Sequence, residues 1–177
     1  MQAWKMWGMT LAMLLAGFAA ARSLTAPVQV PESLRAREDE ALALVAHARG
    51  DQIYECRQKA GDDYAFDWAF VAPDAELFDD DGRRIGRHYA GPLWEAADGS
   101  RIAGKVIRAV NAPVADAAIP WLLLETTSVG RDGAFSRITS IQRVATAGGV
   151  APPHGCPYAG FRVEIPYTAD YYLFTRK

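Results

Sequence analysis

Leu77-Phe-Asp-Asp-Asp-Gly-Arg-Arg-Ile-Gly-Arg-His-Tyr-Ala-Gly-Pro-Leu-Trp-Glu-Ala-Ala-Asp-Gly-Ser-Arg-Ile-Ala-Gly104 decides the fold. It contains two Asp-Gly pairs, Asp81-Gly82 and Asp98-Gly99, each followed within three positions by an Arg and an Ile. Glycine accepts positive φ without steric cost and aspartate caps the turn backbone, so each pair predicts a tight turn between antiparallel strands. Ile85 and Ile102 are then equivalent inward residues. Gly91-Pro92 breaks the segment between the turns, so His88 and Tyr89 end one strand while Trp94 and Glu95 begin the next. Asp79, Asp80 and Asp81 resemble the start of a calcium loop, but the twelfth position is Ala90 rather than a bidentate acid. An exposed acidic turn is expected instead.

The same grammar extends in both directions. On the N-terminal side, Tyr64, Phe66, Trp68 and Phe70 alternate with smaller or polar residues, a strand whose aromatic face is expected to be core rather than a stacking platform. Before it, EALALVAHARG and QIYEC read as a strand, a turn at Gly50-Asp51 and a second strand, with His47 near the end of the first as a structural or surface residue. On the C-terminal side, RIAGKVIRAV, the apolar run Trp121 to Leu124 after Pro120, FSRITSIQRVATAGG and FRVEIPYTADYYLFTRK each carry strand character. The Trp121 to Leu124 run is expected to be fully buried. Many short strands separated by Gly, Pro and Asp turns predict an all-β protein, an antiparallel sandwich or barrel.

Residues 1–21 place Lys5 before an apolar run that closes on Ala19-Ala20-Ala21, the layout of a secretory signal peptide. Cleavage there leaves residues 22–40 as a loosely attached, flexible arm carrying Pro27, Pro31 and the cluster RAREDE, and 41–177 as a single β domain. The chain has 19 Lys+Arg and 21 Asp+Glu, and losing Lys5 leaves 18 basic residues and a formal charge of −3. No basic field exists to hold nucleic acid, and no later stretch is apolar and long enough to span a bilayer as a helix. The two cysteines, Cys56 and Cys156, lie 100 positions apart and in an exported chain are most simply one disulfide. A periplasmic or extracellular location follows.

The residues that could form a site are His88, Tyr89, Trp94, Glu95, Asp98 and Asp170. His88 with Glu95 or Asp98 would make an acid–base pair, an imidazole oriented by a carboxylate. The alternative is a buried histidine that ties the bend together, with Trp94 as packing. Two functions from different classes fit: a binding or structural module for a small molecule, a saccharide or a cell-envelope component, and a glycosidase-like hydrolase using Glu95, Asp98 or Asp170. Ser100 lacks the GxSxG elbow of a serine nucleophile, and a metal site would need His88 joined by His47 or His154 from distant strands. With no GxGxxG and no phosphate loop, no cofactor is expected.

The combination of QIYEC, WAFVAPDAELFDDDGRRIGRHYAGPLWEAADGS, IPWLLL, ITSIQRVATAGG followed by Cys156, and PYTADYYLF resembles the secreted domain-of-unknown-function family numbered 3455, found in bacteria and fungi. The resemblance runs from Leu42 to Phe174 and implies no particular activity.

Overall fold

The computed structural model describes residues 28–62 and 64–177. The expected signal peptide and cleavage point lie outside the described residues. Eight strands follow one another: β1 (Glu40–Gln58), β2 (Phe66–Phe78), β3 (Arg84–Tyr89), β4 (Leu93–Ala96), β5 (Arg101–Val110), β6 (Trp121–Ser128), β7 (Ile138–Gly148) and β8 (Arg162–Arg176). Each pairs antiparallel with the next, and β1 pairs with β8 to close the sheet into an up-and-down barrel. The expectation of an all-β antiparallel fold with one disulfide is met, with closure removing the exposed sheet edges an open sandwich would keep.

Both Asp-Gly signals make the turns they predict. Gly82 (φ 77°) donates to the Asp79 carbonyl at 2.9 Å between β2 and β3, and Gly99 (φ 82°) donates to the Ala96 carbonyl at 2.9 Å between β4 and β5. Asp79 is the cap of the first: its Oδ1 accepts from the backbone of Asp81 at 3.0 Å and of Arg83 at 2.8 Å. Ile102 is fully buried and Ile85 half-buried against the same core.

Strand lengths differ from expectation. β1 runs for 19 residues straight through Gly50-Asp51, where a turn was expected, and β8 for 15. Gly50 pairs with Ala75 of β2 on one side and Tyr167 of β8 on the other, so non-local pairing on both edges overrides the local turn signal. Its glycine serves close approach instead: a Cβ there would run into the Asp74 carbonyl and the Ala75 backbone. Gly50→Ala should therefore cost about 3 kcal/mol of unfolding free energy in a denaturant titration. An unchanged midpoint would show that β2 moves aside freely.

The interior holds alanines beside large side chains, Ala46, Ala48, Ala75 and Ala96 against Trp94 and Tyr171, a mixture that fits a small tapering barrel. A second apolar cluster lies on the outer wall, where Leu34 (0% exposed), Val45, Trp121, Leu123, Tyr172 and Phe174 meet. Leu34 comes from a single 3₁₀ turn, Glu32–Leu34, and its carbonyl accepts from Gln142 Nε2 at 2.6 Å. Residues 28–39, expected within a loosely attached arm, are thus docked on the barrel by an apolar residue that their charged neighbours masked. This docking covers Trp121 and Leu123, while Leu124 points into the barrel cluster; Leu122 is only half-buried, so the run is not buried throughout as expected.

The aromatic row leading into β2 is not core. Tyr64 is 95% and Phe70 52% exposed, while Trp68 is half-buried, tilted against Phe161 at 6.0 Å and donating from Nε1 to the His154 carbonyl. The reason is topological. β3 begins to pair with β2 only at Ala75, so the row lies on a stretch with β1 as its one neighbour. Its aromatics cover the disulfide region: Cys56, paired with Trp68, is bonded to Cys156 with the Cα atoms 5.6 Å apart.

Candidate functional site

The Gly91-Pro92 break makes the barrel wall low at one point. β3 has six residues and β4 four, joined across Ala90 to Pro92 with a cis Gly91-Pro92 bond. β2 and β5 are much longer and rise past this hairpin on either side. Through the resulting notch opens a cavity of about 270 Å³. Phe70, Val71 and Pro73 of β2, Pro92 of the hairpin and Val106 of β5 line its mouth side, and Leu122, Leu124, Arg143, Tyr171 and Gln52 its interior. Phe70, Val71 and Val106 are substantially exposed, an apolar rim around an opening.

His88 and Trp94 meet inside this cavity. They are direct cross-strand partners, and their rings stack with centroids 3.9 Å apart and planes 13° from parallel. Tyr171 of β8 meets both edge-on, at 5.3 and 5.5 Å. The other side of Trp94 fits against Gly104, where a Cβ would come within 2.6 Å of the indole ring. His88 is 3% exposed, and its Nδ1 lies 2.9 Å from the Leu93 carbonyl. A carbonyl only accepts, so Nδ1 carries the proton and Nε2 is an acceptor. Burial pushes the imidazole pKa down to about 3; the Leu93 carbonyl opposes this and the Arg143 charge adds to it. His88 is therefore a neutral ring at physiological pH.

Three side chains of the cavity lining carry hydrogen-bond donors. Among the described residues Trp94 Nε1 is buried without a hydrogen-bond partner, and the Gln52 side chain lies beside the Tyr167 hydroxyl. Arg143 holds the Pro120 carbonyl through Nε at 3.1 Å and Nη2 at 2.8 Å, yet among the described residues no carboxylate forms an ion pair with it. Its charge lies close enough to Tyr171 and Tyr167 to oppose the rise in phenol pKa that burial imposes on both.

The remaining expected site residues lie elsewhere. Tyr89 and Glu95 alternate with His88 and Trp94 and so face the outside, where the Tyr89 hydroxyl donates to Glu95 at 2.6 Å and the Arg87 guanidinium lies 4.5 Å from the Tyr89 ring centre. The Tyr89 hydrogen bond, aided by Arg87, holds the Glu95 carboxyl below its usual range. Asp98 accepts from Ser100 Oγ at 2.6 Å and from the backbone of Ser100 and Ala134, which together bring its pKa down to about 2. Ser100 Oγ in turn accepts from Phe135 N at 3.0 Å, so this pair fastens the β6–β7 loop to the β4–β5 turn. Asp170 faces His47, its partner across β1 and β8: Asp170 Oδ1 is 2.7 Å from His47 Nδ1, and Asp80 Oδ1 is 3.0 Å from His47 Nε2.

The six expected residues thus divide into four places. His88 and Trp94 share the cavity, Tyr89 and Glu95 an outer patch, and Asp98 and Asp170 stand apart in separate tethers. The imidazole–carboxylate pair sought at His88 occurs at His47 instead. Among the described residues, neither Glu95, Asp98 nor Asp170 lines the cavity, and no group of three His, Cys, Asp or Glu is placed to hold a metal. Gln52, Arg143 and Tyr171 were missed. Their signal was faint: each shares inward parity with a neighbour two positions away, Arg143 with Ile141 and Tyr171 with Leu173.

The family model described as Protein of unknown function (DUF3455) matches residues 37–175, nearly the whole barrel. The chain belongs to this family. The match begins just before β1 and ends one residue short of the end of β8, so the cavity and its hairpin lie wholly within the family domain. No curated protein and no solved structure matches the chain.

Proposed function

We propose that this DUF3455 barrel is an exported binding module that holds a small, largely apolar molecule inside the barrel, entered through the notch over the Gly91-Pro92 hairpin. The observation that carries the reading is the cavity itself: about 270 Å³, walled mostly by apolar side chains, with Gln52, His88 and Arg143 as the few polar residues of its lining. Eight-stranded barrels are just wide enough to enclose one small ligand, and such sites combine apolar walls with a few convergent polar groups. The disulfide supports an oxidising compartment, and cross-strand ion pairs such as Arg162–Glu55 and Arg87–Glu95 support a water-facing outer wall. The walls are too apolar to satisfy the many hydroxyls of a saccharide, which favours a small organic molecule.

A thermal-melt screen of small acids, amides and alcohols tests the reading, because a ligand at about 100 times its Kd stabilises the folded state by about 2.7 kcal/mol. Some members should raise the Tm of the native protein and none should raise that of Val106→Trp, whose indole fills the mouth. Shifts of equal size in both proteins would place binding outside the barrel.

A further inference from the structure

Three side chains of the cavity lining carry hydrogen-bond donors, beside the acceptor Nε2 of His88. Trp94 Nε1 can only donate, Gln52 Nε2 can only donate, and the guanidinium of Arg143 donates and carries a full positive charge. Two of the three side chains are almost wholly buried, Trp94 at 1% and Gln52 at 2% exposed. Arg143 spends Nε and Nη2 on one backbone oxygen, which fixes the plane of the guanidinium without neutralising it. Arg143 is half-buried, and among the described residues no carboxylate pairs with it, so its guanidinium can take a charge-assisted bond from an anion in the cavity. His88 does not compete for this role, since burial keeps its ring neutral and its one donor is taken by Leu93.

We infer that the cavity selects a small carboxylate: Arg143 takes the anionic group, and the apolar body lies toward Leu124, Val106 and Phe70. This rests on the proposal that the cavity is a ligand site and adds the class of ligand. Arginine is suited to the task because its planar fork matches the two oxygens of a carboxylate. The volume limits size: at about 30 Å³ per water it corresponds to roughly nine water molecules, room for an acid of about a dozen non-hydrogen atoms or fewer.

Calorimetric titration of the disulfide-intact protein with benzoate and octanoate, each against its amide, distinguishes the two proposals. At pH 7 both acids should bind at least about tenfold more tightly than their amides, the scale of a charge-assisted hydrogen bond. Arg143→Gln should bring acid and amide to equal affinity while Arg143→Lys keeps most of the difference. The comparison of acid with amide in the unaltered protein needs no variant to fold. Equal affinities there, or a preference that survives Arg143→Gln, would overturn the carboxylate assignment while leaving the cavity a ligand site. Absence of binding by all four compounds would overturn the assignment and count against the cavity as well.

Discussion

Acidifying the protein from pH 6.5 to pH 3 should remove on the order of 4 kcal/mol of unfolding free energy through His88 alone. The folded pKa is lowered to about 3 from an ordinary value of 6.5, so between those values the unfolded chain binds the proton and the folded barrel does not. Stability from this group is therefore complete above pH 6.5 and declines as pH falls. The loss is nearly all burial: a charged ring would sit between Trp94 and Tyr171 with Arg143 nearby. Urea titrations at half-unit pH intervals measure it. His88→Gln, neutral throughout, should be less stable at pH 7 but should have a flatter profile down to pH 4. An equally steep profile in that variant would assign the acid loss to other groups.

Two further groups shape the same curve. Asp98, with its pKa lowered to about 2 by Ser100 first and then by backbone donors, contributes stability above the carboxylate range that disappears as pH falls through 2. His47 acts oppositely. Burial lowers its pKa, but the hydrogen bonds and charges of Asp170 and Asp80 outweigh that and raise it, so its contribution is full below pH 6.5 and is lost as pH rises through the folded value. Stability should accordingly peak near neutrality.

Removing the disulfide should cost a comparable amount, about 2 to 5 kcal/mol. Cys56 and Cys156 are separated by 100 positions, so their bond restricts a large loop of the unfolded chain, and in the folded state it ties the end of β1 to the long β7–β8 connection. The same region carries the Trp68–Phe161 contact and little else that is deeply buried. The double variant Cys56→Ala with Cys156→Ala should melt roughly 4 to 20 °C lower than the native protein in the absence of reductant. Coincident melting curves would mean that sheet pairing alone holds this end of the barrel.

Local chemistry wrote much of the fold plainly into the sequence. Asp81-Gly82, Asp98-Gly99 and Gly91-Pro92 each constrain their own backbone, so three of the connections could be read directly, and the spacing of apolar residues marked the strands between them. What failed depended on partners distant in sequence. Gly50 looks like a turn until β2 and β8 lie on either side of it, and the Tyr64–Phe70 row looks like core until β3 proves too short to cover it. Leu34 sits in a charged, proline-containing stretch whose apolar complement is on β6 and β8.

The site divided along the same line. Gly91-Pro92 pointed to His88 and Trp94, which the structure brings together, because a short hairpin joins its two strands wherever the sheet lies. Glu95 and Tyr89 were carried along by proximity in sequence, although alternation turns them to the opposite face. Arg143, Gln52 and Tyr171 come from three other strands and become neighbours only when the barrel closes. Asp170 found its histidine the same way, through a β1–β8 register spanning most of the chain.

A crystal structure of the disulfide-intact protein with 4-bromobenzoate tests the interior as a ligand site most directly, since bromine can be located by its anomalous scattering. The expected result is a bromine peak among Phe70, Pro92, Val106 and Leu124, with the carboxylate oxygens within hydrogen-bonding distance of Arg143. A barrel interior without bromine at saturating concentration, or bromine bound only on the outer wall, would contradict it.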